Sequence, residues 1–420
     1  LKLTLLKALT LTLLMVCTVT AAAAQKLTLA GWGGTDKAII HGLLSEVLRE
    51  DLRALNVEVE YLPIESNFGQ YLMNSLSSGT APDIFYVDVN SVDVLAGSGK
   101  LQPQSAAELQ ATMLPVLVES FEVQKTSFAL PKDFNAYAVV YNRDVFVDAG
   151  VDIPHAQDTW STLKEKLRQV VVALGDEGVY GACLKAGYTG GFSPLLLSTG
   201  WEPIGADGRT RLDDRFEQAF RFYISLFHDN IAILASELGH SWSGGCFGTE
   251  RTAIAIEGNW LAGYLRDKAP NLLYGAVPTP LNAATGSAGN LLLSVGWGLN
   301  RDSKNMRLAQ SVLELLTSEK AQRWILASGL ALPSRRSMAQ AVESATGRDA
   351  EAQLANAIYA GVNRGYVRPY SFGAYGDAWT DPINEALSAV LVGGVEVDAA
   401  LKVAQQRFDD MYQRFQERLQ

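Results

Sequence analysis

Residues 128–146 read FALPKDFNAYAVVYNRDVF. The stretch opens on a charged, proline-marked segment, Pro131-Lys132-Asp133-Phe134-Asn135. Tyr137 to Tyr141 follows, an apolar run of aromatic and β-branched residues that suits a buried strand. Asn142-Arg143-Asp144 then reads as a turn that starts a helix. On these residues alone, an ordinary surface turn before a strand is the commoner reading. The sharper one is a crossover, where a restricted, charged segment carries the chain from one lobe to another beside a cleft.

On the N-terminal side the pattern alternates. Lys26 to Leu29 reads as a strand, and Ile39 to Leu55 carries apolar residues at helical spacing, with Thr35 or Asp36 available as its cap. Val57 to Leu62, Phe68 to Leu76 and Asp83 to Val89 continue as strand, helix, strand, with Gly79 stopping the helix. Such a run with short links predicts a mostly parallel sheet. On the C-terminal side, Thr159 caps a helix from Trp160, and strands are expected at 180–184, 253–257, 273–277 and 291–299. Met306 to Leu316 and Glu319 to Ala327 read as helices packed on the first lobe.

Four hundred and twenty residues exceed what one hydrophobic core organises, so two lobes are expected. Apolar residues make up 48% and charged residues 19%, which describes a globular chain. A net charge of −10 without a basic tract argues against nucleic acid as a partner. Lys2 and Lys7, an apolar Leu9 to Val19 and Ala21 to Ala24 read as a signal peptide over 1–24. Val16 before Cys17 breaks the usual lipidation pattern, which favours cleavage after the alanines. Export makes Cys183 and Cys246 a disulfide candidate, although two separate buried thiols also fit. The four histidines lie far apart, so no metal is expected.

Gly97-Ser98-Gly99-Lys100 is not a phosphate loop, because Val94 and Leu101 occupy its required Gly and Ser/Thr positions. No nucleophile elbow, zinc-protease or dinucleotide fingerprint occurs, and neither a catalytic residue nor a cofactor is expected. What stands out is a set of aromatic and polar residues on loops after strands, where open α/β sheets bind ligands. Trp32, Trp242, Trp260 and Trp297 lie beside glycines or polar turns, whereas Trp160 and Trp324 sit in helical stripes and read as core. Any single Trp is more often packing than platform. As a group they suit a sugar, which offers apolar C–H faces and a rim of hydroxyls.

Several motifs, in order, resemble family 1 extracellular solute-binding proteins, the maltose-binding-protein-like receptors of ABC importers. They are Ala81-Pro82-Asp83-Ile84, the Pro131 to Asp144 crossover, FGTERTAIAIEGNW over 247–260, and Leu332-Pro333-Ser334. The resemblance spans about Lys26 to about Asp410. It implies a periplasmic-binding-protein fold, α/β, with two lobes joined by crossover hinges. The first lobe would hold 25–131 and 298–333, and the second 132–297 and 334–420. It implies a ligand set of Trp32, Asp36, Lys37, Asp88, Asn90, Lys132, Asp133, Asn135, Tyr188, Trp242, Trp260, Trp297, Arg368 and Tyr370. Tyr375 and Trp379 lie in the region where the family closes its cleft, and Asp83 is expected to be structural. Asn135 stands where the family commonly has an acid, and the family's first-lobe Trp is missing near Val87. The implied protein is an exported, monomeric, non-enzymatic receptor that delivers a mono- or oligosaccharide to membrane permease subunits. A receptor for a glycerophosphodiester and a secreted glycoside hydrolase are the alternatives, the latter because Asp36, Asp88 and Asp133 could meet as a carboxyl pair.

Overall fold

The computed structural model describes residues 23–343, 349–362 and 364–419. The expected signal peptide, with Cys17, lies outside them except for its last two positions. The strands run in order β1 (Gln25–Trp32), β2 (Val57–Ile64), β3 (Ile84–Asp88), β4 (Glu122–Val123) and β5 (Thr126–Ser127). Next come β6 (Leu130–Asn135), β7 (Ala138–Asn142), β8 (Tyr180–Leu184), β9 (Ala232–Leu234) and β10 (Thr252–Glu257). The last are β11 (Tyr274–Pro278), β12 (Ala288–Leu299), β13 (Leu332–Pro333) and β14 (Gly365–Pro369).

Two main sheets result. The first is ordered β13-β6-β12-β3-β1-β2, with β14 beside β12 as well. β1 is parallel to β2 and β3, as the alternating pattern predicts, while β12 returns antiparallel to β3 and β6. The second is ordered β11-β7-β10-β8-β9. Here β8, β9 and β10 are parallel, and β7 is antiparallel to both its neighbours. β4 and β5 form a separate hairpin. The first core gathers Leu27, Leu29, Tyr86 and Trp297 under the helices Met306–Leu316 and Glu319–Ala327. The second gathers Trp160, Leu195, Phe216, Phe220 and Ile254. β12 passes so close to the helix Ser193–Ser198 that a Cβ on Gly289 would lie 2.1 Å from the Ser198 amide nitrogen.

The deciding stretch differs from its expectation in one respect. Pro131 to Asn135 is not a turn but β6, inside the first sheet, and every residue of it is buried. A central strand tolerates proline at a bulge, where the ladder needs no amide there. Such a bulge is present: Val295 faces Asp133 and Gly296 faces Pro131, which leaves Lys132 as the extra residue. Ser334 Oγ donates to the Pro131 carbonyl at 2.6 Å, and Ser294 Oγ to the Asp133 carbonyl at 2.7 Å. The boundaries expected after 131 and 297 fall inside β6 and β12. The chain changes sheets at Ala136–Tyr137 and between Pro278 and Ala288. Asn290 brackets the first change, accepting from the Tyr137 amide at 2.9 Å and donating to the Tyr137 carbonyl at 2.7 Å.

Local signals behave as the chemistry requires. Asn142 caps the helix Arg143–Asp148, and Thr159 with Thr162 forms a capping box. Asp83 accepts from the Thr28 amide and hydroxyl and from Ser303, a structural role. Asp36 is not the cap: Gly34 holds the N-cap position of the helix Thr35–Gly42, and no side-chain cap bond is made there. The apolar stretch 39–55 is broken by a π-turn at Leu43–Val47. Trp160 is buried in the second core, and Trp324 packs half-buried with its indole N–H donating to the Ile39 carbonyl. Cys183 and Cys246 are disulfide-bonded, with Cα atoms 6.3 Å apart.

Candidate functional site

The ends of β1, β3 and β6, the middle of β12 at Leu293–Val295 and the start of the helix Trp260–Lys268 meet around a cavity of about 300 Å³. Trp32, Asp36, Asp88, Lys132, Asp133, Asn135, Trp260 and Tyr370 line it, with Leu330 and Ala331. Trp32 ends β1, is 37% exposed, and meets Tyr86 edge-on at 5.3 Å between ring centroids. Asp36 lies one turn further on, in the first turn of its helix, and is buried. Burial pushes its carboxyl up, and the Lys132 ammonium pulls it back.

The bulge leaves Lys132 without a partner in the ladder, and its side chain lines the cavity. Its ammonium lies 5.0 Å from the centre of the Tyr86 ring and pairs with Asp133, both residues being buried. Burial raises the Asp133 carboxyl, while Lys132 opposes the rise. Asp88 ends β3, and burial pushes it up to about 7 with the nearby Asp377 carboxyl adding to the shift. A protonated Asp88 can donate to a ligand hydroxyl, and an ionised one can accept.

Across the cavity, Trp260 opens the helix Trp260–Lys268, and its half-buried ring stands edge-on to Tyr137 at 6.1 Å. Its indole N–H donates to Glu257 Oε2 at 2.9 Å. Asn135 spans the two sides: its amide donates to the Leu330 carbonyl at 3.1 Å and accepts from the Asn259 amide at 2.9 Å. These bonds occupy much of the hydrogen-bonding capacity expected to serve a ligand.

Two further hollows adjoin. One of about 460 Å³ shares Trp32 and Asp88 and adds Phe68, Asn90 and Asp377. In it the Asn90 amide donates to Asp377. The other, about 380 Å³, shares Trp260 and Leu330 and adds Trp242 and Tyr264, whose rings meet edge-on at 4.9 Å. Asn90 and Trp242 therefore border the main cavity rather than line it.

Four expected residues lie elsewhere. Trp297 is fully buried against Tyr86, at 4.7 Å, because its β12 position faces the first core. Tyr188 is fully buried between Phe372 and Trp379. Neither offers a face to a ligand. Lys37 is exposed on an outer groove beside β2 with Lys26 and His41, since one step along a helix turns the side chain away from its neighbour's direction. Arg368 pairs with Glu202 at 2.9 Å away from the cavity. In the expected closing region only Tyr370 reaches the cavity; Trp379 is core, stacked on Phe372 at 4.0 Å, and the Tyr375 hydroxyl donates to the Gly208 carbonyl at 2.8 Å.

The sequence reading missed Glu257, Asp377 and Tyr86. Glu257 carried a signal, as the lone acid closing the apolar strand AIAIE. Asp377 sits in a glycine- and aromatic-rich loop whose pattern marks no partner.

Residues 43–323 match the family model described as bacterial extracellular solute-binding protein. A binding protein of Brucella abortus is 23% identical over 349 residues, covering 81% of this chain and 82% of that one. The mannitol-binding protein of Pseudomonas aeruginosa is 25% identical over 260 residues, covering 59% of this chain and 58% of its own. Among solved structures, an ABC substrate-binding protein of Listeria monocytogenes in complex with cycloalternan superposes with a TM-score of 0.79 at 16% identity, over 92% of this chain and 99% of that one. The fold is that of two-lobed periplasmic binding proteins, and among the described residues no helix is long and apolar enough to cross a membrane. The chain belongs to the bacterial extracellular solute-binding protein family.

Proposed function

We propose that this protein is the exported receptor of an ABC importer and captures a carbohydrate between its two sheets. The observation that carries the reading is the cavity itself: Trp32 and Trp260 offer flat faces, and Asp36, Asp88, Asp133 and Lys132 offer hydrogen-bonding groups around them. A saccharide presents the complement of that arrangement. The named relatives take mannitol and cycloalternan, both polyhydroxylated, which supports the class without specifying the sugar. Closure follows from differential contact, since only the closed form lets both sides touch one ligand. We place the hinge at the two sheet changes, Ala136–Tyr137 and 279–287, and the loaded form docks on the membrane permease as a monomer.

The charge balance of the lining weighs against a glycerophosphodiester. Three carboxyls face one ammonium, and that ammonium is already paired with Asp133. An anionic ligand would meet these carboxyls in a cavity whose lining, among the described residues, supplies no cation beyond the one paired with Asp133. A hydrolase reading would need one carboxyl as acid and another as base or nucleophile. The pairing of Asp133 with Lys132 favours its ionised form and so works against Asp133 as the acid.

The test is calorimetry of the purified exported chain against glucose, maltose, maltotriose, trehalose, mannitol and glycerophosphocholine. Saturable binding of at least one sugar or polyol, with no product formed, is expected. Binding of glycerophosphocholine alone would overturn the carbohydrate reading. Hydrolysis of the best-bound sugar, abolished by Asp133→Asn, would overturn the receptor reading.

A further inference from the structure

Glu257 ends β10 and is 6% exposed. Both its oxygens are engaged. Oε2 accepts from the Trp260 indole at 2.9 Å, and Oε1 accepts from the Gly244 amide at 3.2 Å. Gly244 belongs to the helix Ser243–Phe247, which holds Cys246. Cys246 is bonded to Cys183 in β8, and Ser243 Oγ donates to the Cys183 carbonyl at 2.6 Å. One carboxylate thus joins the indole to a short helix that a disulfide and a hydrogen bond tie to the sheet.

A buried carboxylate is costly unless its bonds are retained. An apolar residue would end an apolar strand at less cost, so the acid needs a reason. Trp260 supplies one. Its ring is only half-buried, and the edge-on contact with Tyr137 restrains one side of it. The ring also packs closely over Gly258, and the bond from its N–H adds the one polar restraint on its orientation among the described residues.

We propose that Glu257 is the positioning residue of this site, holding the Trp260 ring at the angle at which it faces the cavity. The inference rests on Trp260 being a stacking platform, as in the proposed function. It adds that the platform's orientation is set from beneath by a group that never touches the ligand. Lys185 is the titratable neighbour whose charge acts on Glu257, beside the N–H donors of Trp260, Gly244 and Ser243, and the Glu257 charge in turn acts on Tyr137. Burial pushes the carboxyl up to about 7 against those donors and Lys185. Near-neutral pH therefore changes the acceptor that holds the indole.

The experiment labels the full chain with 5-fluorotryptophan and follows the Trp260 resonance, assigned by its loss in Trp260→Phe. Calorimetry against the same sugar panel runs beside it. In Glu257→Leu the Trp260 resonance is expected to move or broaden while that of Trp160 stays. Affinity for the best-bound sugar should fall about tenfold or more, the scale of an interface anchor that loses its support. Glu257→Gln keeps one acceptor oxygen and should retain more affinity than the Leu variant. In the wild type the Trp260 resonance should titrate near neutral pH, and in the Gln variant it should not. An unmoved Trp260 resonance with unchanged affinity in Glu257→Leu would overturn the proposal, whatever happens to the melting temperature. Should the Leu variant not fold, Glu257→Met is read in its place, and an unmoved Trp260 resonance with unchanged affinity there overturns the proposal. These spectra decide the role of Glu257 without a ligand. Unchanged affinity in Trp260→Ala would instead sink the site assignment on which the function rests.

Discussion

Replacing Trp260 by alanine removes the half-buried ring that lines both the main cavity and the adjoining hollow with Trp242. The ring face turned to the cavity would stack on a sugar, and an indole loses little rotamer freedom because it has two χ angles. Loss of such an anchor costs about 2–4 kcal/mol of binding. That converts to roughly a 30- to 1,000-fold rise in Kd. The variant also leaves Glu257 Oε2 without its donor, so some stability is lost too. Trp160→Ala separates the two effects. Trp160 is 7% exposed, in the second core, and its truncation should cost about 3–5 kcal/mol of stability. Calorimetry at a temperature where both variants are folded, beside thermal melts, reads the two quantities independently. The expected result is a large affinity loss with a modest fall in Tm for Trp260→Ala, and the reverse for Trp160→Ala. If Trp260→Ala melts as early as Trp160→Ala and its folded fraction binds like the wild type, Trp260 is a plug under the sheet and the reasoning fails.

Lys132→Met strands the Asp133 carboxylate in a buried site and should cost about 3–5 kcal/mol in chemical denaturation at neutral pH. The loss should shrink at acid pH as Asp133 takes up a proton, and a loss that does not change with pH would refute the ion-pair account. Cys183→Ser with Cys246→Ser opens a loop of sequence separation 63 and should lower unfolding free energy by about 4 kcal/mol in the chain-entropy model; an unchanged denaturation midpoint would contradict it. Asp88 carries a folded-state pKa of about 7, above its ordinary 3.8, so the folded chain holds a proton that the unfolded chain releases. Stability from this group is present at acid pH and is lost as pH rises through about 7. Melts from acid to neutral pH should therefore show a decline that is shallower in Asp88→Asn, where the other buried carboxyls remain. Gly289→Ala should cost about 1–3 kcal/mol or more, because the new methyl meets helix backbone rather than a movable side chain; a wild-type Tm would show that the strand shifts freely.

Much of this protein was legible in its residues because the governing signals are local. Apolar runs such as Ala253 to Glu257 form strands wherever they are buried, and Thr159 and Asn142 cap helices through bonds three residues or fewer away. The ordered motifs were enough to indicate two lobes, a crossover and most of the cavity lining. The reading failed where distant segments decide. Pro131 to Asn135 looks like a turn because its own residues favour one. It is a strand because β12 and β13 flank it, and because a bulge opposite Val295 and Gly296 absorbs the proline and leaves Lys132 unpaired in the ladder. Trp297 and Trp260 both follow a glycine-containing stretch, yet one faces a core and the other a cavity. Strand register and helix phase make that choice, and both are properties of packed sheets rather than of neighbouring residues. The pairing of Glu257 with Trp260 lay within three residues. The second bond, to Gly244, and the disulfide behind it needed the folded chain to bring β8, β10 and the Ser243–Phe247 helix together.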